Sequence, residues 1–70
     1  MKVKFKLHSP EFLRYLGHDN SFVRSVPAHL YDNKEHYGEL AGNDIVCYDN
    51  GVRFQFDGSA CQYIKLKEDI

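Results

Sequence analysis

No apolar run approaches the roughly 18 residues that suggest a membrane-crossing helix, and the opening "MKVKFKLHSP" breaks its apolar residues with lysines. Neither a membrane span nor the apolar stretch of a secretion signal is therefore expected. Cysteine is scarce, with two residues, Cys47 and Cys61, in a chain of 70. A small secreted domain more often carries a fuller disulfide framework, so free thiols and a cytoplasmic location are expected. The short Cys-x-x-Cys or His-x-x-x-His spacings of a zinc site do not occur, and no metal or cofactor is expected. Surplus positive charge is also missing: 9 Lys and Arg stand against 10 Asp and Glu, for a formal charge of −1. That balance excludes general polyanion binding and leaves only a local patch for nucleic acid.

Nothing reads as a linker between two bodies, so residues 1–70 form a single small domain. At 43% hydrophobic and 14% aromatic residues the chain is too apolar for disorder. A domain of this size buries only about 60% of its unfolded surface, however, which makes self-association or a standing partner an expected support.

"KVKFKL" alternates Val3, Phe5 and Leu7 with Lys2, Lys4 and Lys6, the period of a half-buried strand. In "HSPEFLRYLG" Ser9 can cap, Pro10 suits the first helical position, Glu11 complements the helix dipole and Gly17 can terminate. A two-turn helix at residues 10–16 follows, packing Phe12, Leu13 and Leu16 on a sheet. "SFVRSV" reads as a strand closed by Pro27. Residues 28–31 against 36–40 read as a hairpin turning at Asp32 and Asn33, with Gly38 weakening its second arm.

The strongest local signal is Asn50-Gly51 between "IVCYD" and "VRFQF", the preferred pair for a type I′ turn because both positions need positive φ. That turn sets Tyr48 opposite Arg53 and Cys47 opposite Phe54, with Ile45, Cys47, Val52, Phe54 and Phe56 on the core face. A second turn at "DGSA" sends residues 61–66 back beside this hairpin as a meander, adding Cys61 and Tyr63 to the same face. The thiols would then lie two strands apart, about 9 to 10 Å, beyond the reach of a disulfide, and they read as small core hydrophobes. The opposite face mixes Val46, Tyr48, Arg53, Gln55, Ile64 and Leu66, too apolar for plain solvation. Either the helix or a barrel wall covers it, or an external partner does.

His8, His18, His29 and His36 are scattered, and no Cys/His pair carries the signature of an activated nucleophile. No catalytic residue is assigned. Lys2, Lys4 and Lys6 could join Lys65 and Lys67 in a basic stripe if the first and last strands are neighbours. With Tyr63 or Tyr15 nearby, that stripe would bind single-stranded nucleic acid on a small barrel. The plainer reading is that outward lysines protect a sheet edge from pairing. Acidic residues, including Asp32, Glu35, Glu39, Asp44, Asp49 and Asp57, concentrate in the middle of the chain and could orient a protein encounter.

The expected fold is α+β and mostly β: a small antiparallel sheet or SH3/OB-like barrel of five to six strands, with one short helix near the N-terminus. The expected function is a free-standing, non-enzymatic protein-binding module starting at Met1. It would be a small regulator or inhibitor, for example a phage or mobile-element product blocking a host enzyme or defence protein. Its anchors would be Tyr48, Arg53, Tyr31, Tyr37 and Phe22, the aromatic and Arg groups that interfaces favour. The alternative is the nucleic-acid binder using Lys2, Lys4, Lys6, Lys65 and Lys67.

Overall fold

In a computed structural model, which describes residues 1–67, the alternation at the N-terminus becomes strand β1 (Lys2–Leu7), whose Val3, Phe5 and Leu7 are buried. Helix α1 (Pro10–Tyr15) starts where the Ser9 hydroxyl oxygen accepts from the Phe12 amide at 3.2 Å. It stops before Gly17, whose φ of +92° lies in the left-handed region that glycine enters without strain. So short a helix turns one narrow side inward: Leu13 is fully buried, while Phe12 and Leu16 remain 43% and 46% exposed instead of packing with it.

The strand expected at "SFVRSV" is not formed. "NSFVRS" is a helix, α2 (Asn20–Ser25), begun by Asp19 accepting from the Ser21 amide at 3.1 Å. The β-branched Val23 and Val26 suggest a strand, but their spacing also suits one side of a helix running into its cap, and both are buried. The hairpin expected across residues 28–40 does not form either. Ala28–Leu30 is a single 3-10 turn, and strand β2 (His36–Ala41) pairs with β1 on one side and strand β3 (Asp44–Asp49) on the other. Gly38 marks close packing rather than a weak strand. A Cβ there would stand 2.8 Å from the Val46 carbonyl oxygen and 3.2 Å from the Phe5 ring.

Strands β3 and β4 (Val52–Asp57) form the hairpin in the register the Asn-Gly turn dictates, from Asp49 opposite Val52 to Asp44 opposite Asp57. Asn50 and Gly51 take the required positive φ, 51° and 80°. After a 3-10 turn at Gly58–Ala60, strand β5 (Cys61–Lys65) leaves this hairpin and pairs with β1. The meander is therefore wrong. The five strands are antiparallel in the order β4-β3-β2-β1-β5.

That order forces curvature. Flat, the two outer strands would lie about 19 Å apart at the usual strand spacing, and Asp57 and Cys61 would sit at diagonal corners. The segment between these residues stretches about 14 Å at most, so the sheet must curl strongly. It nevertheless stays open: no ladder joins β4 to β5 among the described residues, so the barrel is not closed. Leu13, Val23, Val26 and Leu30 fill the hollow against Val3, Phe5, Leu7, Ile45, Phe56 and Ala60.

Cys47 and Cys61 lie in this core as free thiols, as packing residues should. The separation inferred from neighbouring strands does not apply, since β5 is not in that hairpin. No described helix is long and apolar enough to cross a membrane.

Candidate functional site

With the hollow side filled, the convex side of the sheet is left to solvent. Alternation along each strand then assembles a row across it. Arg53 stands opposite Tyr48, Tyr37 opposite Lys4, and Lys4 opposite Ile64. The β2–β3 register, which pairs Glu39 with Val46, aligns Tyr37 with Tyr48 when continued by two residues. The row thus reads Arg53, Tyr48, Tyr37, Lys4, Ile64. Tyr37 and Tyr48 are each 69% exposed and Ile64 59%, so the expectation that the chain covers this face is not met. Only Val46, in the adjoining row between Gln55 and Glu39, is buried.

Polar contacts hold the ends of the row. Arg53 Nη2 donates to Gln55 Oε1 at 2.8 Å, and Gln55 Nε2 donates to Asp44 Oδ2 at 2.8 Å. Next to Ile64 at the other end, Lys4 Nζ lies 3.5 Å from Glu35 Oε2 and 5.8 Å from the centre of the Tyr37 ring, a cation–π distance. Two phenols flanked by cations can grip a surface through ring contact, hydroxyl hydrogen bonds and charge. This is the side-chain chemistry enriched at protein interfaces.

The other expected anchors sit elsewhere. Phe22 and Tyr31 are half-buried against the core, and the Tyr31 hydroxyl donates to the Val23 carbonyl at 2.8 Å. Burial raises the Tyr31 phenol pKa, so the hydroxyl remains a donor. Both residues hold the helices to the sheet, and neither joins the row.

The lysine stripe divides. The first and last strands are indeed neighbours, but Lys65 pairs with Val3, whose side chain points to the core side. Ile64 and Gln62 fill the β5 positions beside Lys4 and Lys6, and Lys67 lies beyond the end of β5. Lys4 faces Glu35, and Lys2 faces Glu39, whose carboxylate binds the Met1 ammonium at 3.1 Å. Nor does β1 need edge protection, because it lies between β2 and β5.

The remaining polar clusters tether loops. His29 pairs with Asp49 at 2.8 Å and His36 with Asp32 at 3.0 Å. The bond from His36, then one from the Lys34 amide, holds the Asp32 carboxyl below its ordinary pKa. Ser59, through its amide and then its hydroxyl, does the same for Asp57. No group of three His, Cys, Asp or Glu side chains is placed to hold a metal among the described residues. Burial pushes the Cys61 thiol up to about 12 and also raises Cys47, so neither is poised as a thiolate nucleophile at neutral pH.

Sequence reasoning placed Tyr48, Arg53 and Ile64 on one face but missed the junction of Lys4 and Tyr37 with it. That junction depends on β2 entering the sheet between β1 and β3, for which the only local cue was the alternation around Gly38. Reasoning also missed the exposure of α1, where Phe12 stacks with Tyr15 at 6.0 Å and Tyr15 is 83% exposed. Comparison with protein-family models, curated proteins and solved structures finds no match for this chain.

Proposed function

We propose that the chain is a non-enzymatic protein-binding module, a small regulator or inhibitor that occludes a partner through the convex face of its sheet. The carrying observation is the row Arg53, Tyr48, Tyr37, Lys4 and Ile64, with two tyrosines 69% exposed and no described element over them. Large rings on a rigid sheet lose little conformational freedom on docking, and Arg53 is already tethered by Gln55. Splitting of the lysine stripe favours this reading over nucleic-acid binding.

The test uses tagged chain expressed in its native cell, with mass spectrometry of the retained proteins. A specific partner should be held by the wild type and by Tyr15→Ala, which alters the exposed side of α1. It should be lost from the Tyr48→Ala/Arg53→Ala double variant while the circular dichroism of that variant stays native. Equal retention by the double variant would reject the face.

A further inference from the structure

The free edge of β4 matches itself. In the hairpin the narrow, hydrogen-bonded pairs are Asp49–Val52, Cys47–Phe54 and Ile45–Phe56. The two-residue turn fixes this phase, and the Gly58 amide continues it by donating to the Asn43 carbonyl at 2.9 Å. Val52, Phe54 and Phe56 therefore direct their backbone groups toward β3. Arg53, Gln55 and Asp57 direct theirs outward, where they find no backbone partner among the described residues.

All three side chains lie on the convex face and are exposed. If a second β4 runs antiparallel to the first about a two-fold axis at Gln55, the outward backbone groups of all three residues meet their counterparts in hydrogen-bonded pairs. The same register puts Arg53 opposite Asp57 of the second copy, Asp57 opposite its Arg53, and Gln55 opposite its Gln55. It also sets Phe54, only partly buried in one chain, beside the second copy's Phe56 on the core side. Ser59 chiefly, with a smaller contribution from the neighbouring His18, lowers the pKa of the Asp57 carboxyl, whose Oδ1 accepts from the Ser59 amide at 2.8 Å.

The other edge offers no such match. On β5 the outward backbone belongs to Tyr63 and Lys65, since the Leu66 amide donates to the Lys2 carbonyl at 2.9 Å and sets the opposite phase. An antiparallel copy about Tyr63 would face Lys65 with Cys61.

We infer that two copies of this chain associate edge to edge through β4, about a two-fold axis at Gln55, with Arg53 of each copy paired to Asp57 of the other. The two sheets become one, and the two convex rows run together across the axis. This goes beyond the partner-binding reading and is measured on purified chain alone, so either can fail without the other.

Sedimentation equilibrium from the micromolar to the millimolar range should show a mass rising to twice that of the chain. Arg53→Glu alone sets Glu against Asp, and Asp57→Lys alone sets Arg against Lys, so each should lose the dimer. Mixed, these variants restore both opposite-charge contacts, and a heterodimer should return. Because Asp57 also caps the Gly58–Ala60 turn, a second probe is Gln55→Cys. Paired residues at the axis lie about 5.5 Å apart at Cα, within disulfide reach, so mild oxidation should link two chains there. Val52→Cys, three positions from the axis, should not cross-link. A monomer at every concentration overturns the inference, as does a dimer that both charge variants leave intact.

Discussion

Gly38 and Val46 approach so closely across β2 and β3 that a Cβ on the first would stand 2.8 Å from the carbonyl oxygen of the second. The same added carbon would meet Ile45 Cγ2 and Phe5 Cε1 at 3.2 Å. Backbone cannot yield as a flexible side chain can. Gly38→Ala should therefore destabilise the fold by about 1 to 3 kcal/mol, read from the urea midpoint at unchanged slope.

The buried thiol of Cys61 predicts an alkaline weakness. Its pKa rises from 9.0 to about 12, chiefly through burial, so the folded state favours the protonated form. The stability linked to this group is complete below the unfolded value and is lost as pH climbs through the folded one. The urea midpoint should fall as pH rises above about 9. Cys61→Ala should flatten that decline, although its midpoint at neutral pH will be lower.

Asp32 predicts the opposite limb. His36 and the Lys34 amide depress its pKa below 3.8, so its contribution is present above that value and disappears as pH falls through the lower folded one. Asp32→Asn should reduce the acid sensitivity of the midpoint below about pH 4. An unchanged acid limb would show that this bond does not matter to folding.

Divided lysines predict weak contact with nucleic acid. With Lys65 turned from Lys4, and Lys4 beside Glu35, a labelled single-stranded oligonucleotide should show no saturable anisotropy change even at low salt. Tight binding that declines steeply with salt would restore the rival reading.

Where information is local, the residues themselves revealed the structure. The Asn50-Gly51 turn fixed the β3–β4 register, and the alternation of Val3, Phe5 and Leu7 defined the buried side of β1. The errors came where local preference and long-range packing compete. Val23 and Val26 suggested a strand, yet the Asp19 cap and burial against the sheet made α2 a helix. Gly38 suggested an interruption because its reason, the crowded carbonyl of Val46, lies on another strand. Of the expected anchors, Tyr37, Tyr48 and Arg53 share the exposed face, whereas Tyr31 and Phe22 were drawn into the core by helices that the strand reading did not include.

The placement of β1 between β2 and β5 also bears on synthesis. Strand β1 requires a partner more than fifty residues later in the chain, Lys65 for Val3. Until then β1 has an unpaired flank and the hollow beneath it lacks Cys61 and Ala60. Contacts so distant along the chain slow folding, and the nascent protein must hold an unfinished edge until β5 has been made. Chaperone dependence would therefore be set by the arrival of β5, and truncation before Cys61 should leave a chain that aggregates rather than a smaller folded domain.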